Sequence, residues 1–207
     1  MQQRTSQFLY AYWNEVRGGR FAPRRFDIEP AQLGSILAET FILECDDARN
    51  ASFRLAGTKI CDTFGREFRG GDFFELFEAG DRDTAIQHLG EVRSMGAVLV
   101  IEAEATVADH GSVRFEIIVL PLVHTGASIS RLLGAITAID PPSWVGSERL
   151  PRLSVTRIQK IWPEGRPQAF ADNFRDQPAL IPELAGARIV RVNRRSFRIV
   201  DGGLAND

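Results

Sequence analysis

Cysteine is scarce in this chain, and its scarcity excludes two classes of stabilising site. The 207 residues contain two cysteines, Cys45 and Cys61. Two cysteines without a C-x-x-C spacing provide neither a disulfide framework nor the ligand set of a structural zinc site. We therefore expect a reduced, cytoplasmic protein that holds no metal.

Long apolar runs and an excess of charge are also missing. No stretch approaches the roughly 18 uninterrupted apolar residues of a transmembrane helix. The N-terminus lacks the apolar core of a signal peptide. The formal net charge is −2, so the chain as a whole has no general attraction for nucleic acid. We expect no membrane association and no nucleic-acid partner.

Catalytic motifs are absent as well. The sequence contains no G-x-S-x-G, H-E-x-x-H, Walker A or dinucleotide-binding pattern. The three histidines are His88, His110 and His124, and nothing in their spacing places one beside a nucleophile. An isomerase-type enzyme on a cone-shaped α+β fold would need a buried aspartate or tyrosine, but Tyr10 and Tyr12 lie near the N-terminus, outside such a cavity. We predict no enzyme and no catalytic residues.

Phenylalanine, by contrast, is abundant. The chain has 14, and several lie in residues 53–77. Phe53 and Leu55 alternate with Arg54 in the pattern of a half-buried strand. The short apolar clusters that follow are separated by glycines, which favours helices of one or two turns over one long helix. This stretch is predicted to form a wall over the interior of the domain.

The N-terminal residues 6–17 are predicted to form an amphipathic helix. Ser6 is a candidate N-cap, and Gly18 ends the pattern. We predict that its apolar face packs either on the sheet or on a second copy of the chain. The candidate dimer interface consists of Phe8, Leu9, Tyr12, Trp13 and Val16.

The remaining periodicities predict an α+β fold. A short helix begins near Pro30, a hairpin follows residue 40, a longer helix covers residues 81–94, and three strands come next. The result is a five-stranded antiparallel sheet with short helices and one longer helix on one face. The predicted division is an N-terminal helical extension at 1–38, the main domain at 39–145, and a C-terminal extension at 146–207, partly strand and partly irregular.

The element order and four stretches of sequence resemble a PAS domain. The similarity is greatest to a family of short bacterial, stand-alone PAS-like proteins of the PAS_5 type. It rests on LYAYWNEVRGGR at 9–20, PRR and DIEP within 23–30, FRLAGT and FGRE within 53–67, and LGA and DPP within 133–142. The resemblance implies a sensory or regulatory role and no particular reaction.

The resemblance also implies where a ligand would bind, because PAS domains commonly hold haem, flavin or metabolites between the sheet and the long helix. The candidate pocket residues are Phe53, Leu55, Ile60, Phe64, Phe74, Ile86, Leu89, Ile101, Phe115, Ile117 and Ile136. The same residues are also what a solid core needs, and we expect core packing over a pocket.

No cofactor is expected. His88 lies on the longer helix, which carries the axial histidine in haem-binding relatives, but we place it at the partly solvated edge of the apolar face. Light-sensing relatives use a cysteine within an Asn-Cys-Arg-Phe-Leu-Gln type motif, and Cys61 stands in a different context. We expect Cys61 to be a small buried apolar side chain.

The leading hypothesis is a stand-alone PAS-type regulatory domain that binds a protein partner in a signalling pathway, forms a homodimer, and is gated by a small molecule in its interior. The alternative is a ligand-free structural dimerisation or interaction module. The basic tail is interpreted as a solvated edge strand or tail rather than a phosphate or cyclic-dinucleotide site. Its arginines are Arg188, Arg191, Arg194, Arg195 and Arg198.

Overall fold

The computed structural model describes residues 1–47, 49–124 and 128–163. Within them the α-helices are α1 (Arg4–Arg17), α2 (Pro30–Leu33), α3 (Thr58–Phe64) and α4 (Arg82–Met95). The strands are β1 (Thr40–Glu44), β2 (Ser52–Ala56), β3 (Val98–Val107), β4 (Gly111–Val123), β5 (Ile129–Ile139) and β6 (Ser154–Ile161). Short 3-10 helices occupy Arg25–Asp27, Gly34–Glu39 and Phe73–Leu76.

The strands of the described chain form one antiparallel sheet in the order β2-β1-β5-β4-β3-β6. The α+β fold class predicted from the sequence is confirmed. The sheet has six strands instead of the predicted five, because β6 pairs along β3 from Val98↔Ile161 to Glu104↔Ser154. The sheet therefore continues past residue 145, into the segment that the sequence analysis assigned to a C-terminal extension.

Phenylalanine rings fill the space over one face of the sheet, which we call the inner face. Phe115 of β4 stacks on Phe64 of α3 with ring centroids 5.1 Å apart. Phe53 meets Phe41 edge-on at 5.6 Å. The buried rings of this cluster are Phe41, Phe53, Phe64, Phe68, Phe73, Phe74, Phe77 and Phe115. Such offset and edge-to-face contacts add to the stabilisation from burial.

Gly134 of β5 makes room for one of these rings. The ring of Phe41 lies directly over it, so a Cβ at this position would stand 2.1 Å from Phe41 Cζ and 2.4 Å from the carbonyl oxygen of Ile118. No rotamer of Phe41 removes the second contact, because it is with backbone. A glycine in mid-strand is thus explained by the close approach of a ring.

Helix α1 lies across the opposite, outer face of the sheet. The indole Nε1 of Trp13 donates to the carbonyl oxygen of Pro121 at 2.8 Å, and both groups are buried. The buried carboxylate of Glu116 accepts from the backbone N–H groups of Gln2 (2.6 Å) and Gln3 (3.0 Å). A carboxylate at this end of the helix also complements its dipole.

The prediction that Ser6 caps this helix is wrong. The helix begins at Arg4 with Gln3 as the N-cap, and Ser6 lies buried inside the first turns. The physical reason is that Glu116 binds the amides at the start of the helix from the sheet below, so no local hydroxyl is needed. Gly18 ends the helix in a left-handed conformation (φ 56°), as the sequence predicts.

Replacing Gly134 with alanine should lower the free energy of unfolding by at least about 2 kcal/mol, because the added methyl overpacks the sheet. The matched control is Gly90→Ala in α4, where a Cβ meets nothing within 4 Å. That change should raise stability by about 1 kcal/mol through helix propensity. Urea denaturation measures both, and equal effects of the two substitutions would contradict the packing described here.

Candidate functional site

The interior predicted to hold a ligand is occupied by the protein's own side chains. Nine of the eleven candidate pocket residues are buried, and Ile86 is half-buried against them. Their rings touch one another, with Phe64 and Phe115 in a stacked pair. On this face the candidate residues serve as core.

Leu55 is the exception, and its predicted inward orientation is wrong. Its side chain is 45% exposed and lies on the outer face. A β-bulge is the cause: Leu43 pairs with Phe53 while Ile42 pairs with Leu55, so Arg54 is an extra residue on β2. The alternation of the sequence therefore skips a residue, and Phe53 and Leu55 point to opposite faces.

The exposed Leu55 borders a cavity on the outer face. This apolar chamber has a volume of about 500 Å³ and lies between residues 25–38 and the hairpin of β1 and β2. Its one charged lining residue is Arg25. Its lining residues are Arg25, Ile28, Pro30, Leu33, Gly34, Ser35, Leu37, Ala38, Thr40, Ile42, Leu55, Ala56, Gly57, Thr58 and Leu133.

A second cavity, the cationic chamber, adjoins the first and has a volume of about 470 Å³. The two share Arg25, Ile42 and Leu55. The remaining lining residues of the cationic chamber are Phe26, Arg54, His124 and Arg131. We call the two chambers together the outer-face cleft. Sequence reasoning missed it, since residues 25–38 carry no pattern beyond a loop and a short helix.

The charges of the cationic chamber are only partly compensated. Arg131 forms an ion pair with Glu44 of β1. Within the described chain, Arg25 and Arg54 form no ion pair, and the lining of both chambers includes no acidic residue. The Phe26 ring, 74% exposed, lies 5.4 Å from the His124 ring at the rim. Among the described residues, Arg25 and Arg54 are thus cationic groups of the chamber that have no carboxylate partner.

Hydrogen bonds connect helix α1 to both ends of residues 29–39, which form one wall of the cleft. At one end the hydroxyl oxygen of Tyr12 accepts from the backbone N–H of Glu29 at 2.8 Å. At the other end the carboxylate of Glu39 accepts from Thr5 of α1. Both ends of residues 29–39 are therefore hydrogen-bonded to α1.

Glu39 joins three layers of the domain. Besides Thr5, its carboxylate accepts from Lys59 of α3 and, at 3.3 Å, from Thr137 of β5. Burial by itself raises the pKa of this carboxyl. The hydrogen bonds from Lys59, Thr5 and Thr137 and the charge of Lys59 outweigh burial, so the net pKa lies below the ordinary value of 4.5.

Two other residues singled out in the sequence lie apart from the cleft. His88 is half-buried, with Nδ1 3.4 Å from Glu91, which in turn pairs with Lys160 of β6 at 2.5 Å. Cys61 is half-buried and its Sγ lies 3.8 Å from Glu67, so the expectation of a small buried apolar side chain is wrong. It lies on the short helix α3, whose buried side is taken by Ile60 and Phe64.

The predicted dimer residues divide between two environments. Leu9 and Trp13 are fully buried against the helix's own sheet, so their assignment to a dimer interface is wrong for the packed helix. The burial of Trp13 is enforced by its hydrogen bond to Pro121. Phe8 is 47% exposed, and Tyr12 and Val16 are half-buried.

The arginine-rich tail predicted at residues 188–198 lies outside the described residues. In the part of the chain that the structure covers, no group of histidine, cysteine and acidic side chains is arranged to hold a metal ion. That part also includes no helix with the length and apolarity needed to cross a membrane.

Comparison with known proteins yields a family match. Residues 1–137 match PAS_5, a family described as a PAS domain. No curated protein matches the sequence.

Two solved structures are similar in part. A LOV protein of Rhodobacter sphaeroides has 11% identity and a TM-score of 0.40, over 50% of this chain and 60% of that one. The PAS domain of an HTR-like protein from Haloarcula marismortui has 18% identity and a TM-score of 0.34, over 48% of this chain and 81% of that one.

The substitution Glu39→Gln should lower the free energy of unfolding by about 2 kcal/mol at neutral pH, because a charged acceptor of three hydrogen bonds is lost. A carboxyl whose folded pKa is depressed stabilises above its unfolded value and loses that contribution as pH falls through the folded pKa. The difference between the two proteins should therefore shrink below about pH 4.5.

Urea midpoints measured from pH 7 to pH 3.5 test this expectation, with the exposed Glu15→Gln as the matched control on α1. A difference that stays constant over this range would contradict the assigned role of the Glu39 carboxylate.

Proposed function

Because the chain belongs to the PAS_5 family of PAS domains, which are sensory and signalling modules, we propose that it regulates a partner by direct protein contact. The contact surface is the outward side of α1, centred on Phe8. A second copy of the chain is the first partner we assign to it. The rest of the domain holds this helix in place and controls its position.

The division of α1 into two sides is the observation that supports this proposal. Leu9 and Trp13 anchor the helix in the monomer core, while Phe8 is 47% exposed and is followed one turn later by Tyr12. Aromatic side chains are enriched in protein interfaces, where a large ring is buried at little cost in side-chain entropy. A helix held this firmly presents its outward side as a preformed surface.

The connection between α1 and residues 29–39 supports a regulatory role for that surface. Tyr12 and Thr5 bind the two ends of the segment, and Arg20 forms an ion pair with Asp27 at 2.9 Å just before it. A signal shifts an equilibrium between two arrangements only when it interacts differently with each. Movement of residues 29–39 would change the relative free energies of two positions of α1. It would thereby alter the contact surface that α1 presents.

The alternative function is a ligand-free structural dimerisation module. The filled interior favours it, since nine candidate pocket residues are core and the Phe64 and Phe115 rings stack there. In that case the contact surface on α1 is the same, but no small molecule alters it. Ligand-dependent thermal stabilisation distinguishes the two functions, because a ligand of the native state must raise stability.

The substitution Phe8→Glu should weaken self-association at least tenfold, because an aromatic ring that the dimer would bury is replaced by a charge. Sedimentation velocity over a range of protein concentrations measures the dissociation constant. Met95→Glu is the matched control, since Met95 is 41% exposed on α4 and lies outside the contact surface. A dimer equally stable in wild type and Phe8→Glu, or a wild type that stays monomeric, would eliminate a second copy as the partner.

A further inference from the structure

The outer-face cleft combines an apolar chamber with an adjoining cationic chamber. The apolar chamber has Ile28, Leu33, Leu37 and Leu133 among its lining residues. Leu37 is 40% exposed, so apolar surface remains open to solvent here. The volumes of both chambers lie within the range of roughly 300–1,000 Å³ that is typical of small-molecule sites.

The cationic chamber supplies positive charge at one end of the apolar surface. Arg25 lines both chambers, and Arg54 borders the cationic one through the bulge in β2. The ion pairs formed by the described residues leave both arginines without a carboxylate partner, while Arg131 is paired with Glu44. Guanidinium groups bind carboxylates and phosphates with well-defined geometry.

We propose that the outer-face cleft binds a small amphiphile with an anionic head group and an unbranched aliphatic chain, of which a medium-chain carboxylate is the simplest example. The chain lies in the apolar chamber against Leu37 and Leu55. The head group lies at the junction of the chambers, between Arg25 and Arg54. This inference goes beyond the proposed protein contact and does not require it.

A peptide strand is a poorer occupant of this part of the sheet. β2 is the outermost strand, and its outward edge already bonds to residues 70–73. The Phe53 N–H donates to Gly71 O at 2.9 Å, and the Gly70 N–H donates to Phe53 O at 2.7 Å. Strand addition requires a free edge, and these bonds occupy the edge of β2 at Phe53.

A molecule bound in the cleft would also influence the position of α1. The chain of the amphiphile contacts residues 28–38, and that segment is bound to α1 through Tyr12 and, at its end, through Glu39. Binding would favour one position of the segment over another. The cleft thereby supplies the small-molecule input that the filled interior does not.

Isothermal titration calorimetry of the full chain tests the proposal with hexanoate, octanoate and decanoate, each kept below its micelle-forming concentration. Every two added methylenes should tighten binding by about fifteenfold, since each buried methylene contributes about fourfold. Decanol should bind more weakly than decanoate, and decyltrimethylammonium should not bind. A matching rise in melting temperature should accompany decanoate.

Variants locate the site. Arg54→Gln should weaken decanoate binding about fivefold while leaving decanol unchanged, as expected for one partly exposed ion pair. Arg25→Gln combined with Arg54→Gln should weaken it further. Leu55→Glu should abolish binding, and the 45% exposure of Leu55 makes the change compatible with folding. Arg114→Gln, an exposed arginine on β4 that lines neither chamber, is the matched control and should bind as wild type does.

Several results would overturn the proposal. They are equal affinity for decanol and decanoate, an effect of Arg114→Gln as large as that of Arg54→Gln, and no binding of decanoate at millimolar concentration. Phe8→Glu should still bind decanoate, so failure of the dimer proposal and failure of the ligand proposal give different results.

Discussion

Aromatic packing on the inner face of the sheet is the constraint on which the other features of this domain depend. Phe41, Phe53, Phe64 and Phe115 bring β1, β2, α3 and β4 into one buried cluster. Gly134 is required because the Phe41 ring occupies the place of its side chain. Space filled in this way is not available to a ligand, and in the described residues the large apolar cavity lies on the other face of the sheet.

Two regions of the chain lie over the outer face of the sheet. Helix α1 covers the sheet near Pro121 and Glu116, while residues 25–38 stand away from β1 and β2 and leave the cleft between them. The two regions are not independent, because Glu39 hydrogen-bonds to α1, to α3 and to β5 at the end of the cleft wall. Hydrogen bonds thereby connect the wall of the cleft to α1 in a domain whose inner face is filled by side chains.

Local patterns predicted most of the elements correctly and failed where a distant group intervened. The helix over residues 6–17, its glycine stop and the strands on either side of residue 110 follow from periodicity and turn residues. Ser6 has the chemistry of an N-cap, but Glu116, more than a hundred residues away, binds the helix start instead. Leu55 has the alternation of an inward residue, but the bulge that adds Arg54 reverses its direction.

The sequence by itself determined the α+β class and most of the apolar residues of the core, because these depend on composition and on periods of two and 3.6 residues. The family resemblance rested instead on the order of the elements and on four stretches of sequence. The tertiary structure alone decided which face of the sheet holds a cavity. That choice depends on how the Phe53–Phe73 and Phe64–Phe115 pairs fill volume, and on a register shift of a single residue. Ring packing and strand register both depend on residues that are distant in the sequence. Arg25, Arg54 and Leu37 therefore line adjoining chambers only in the folded chain.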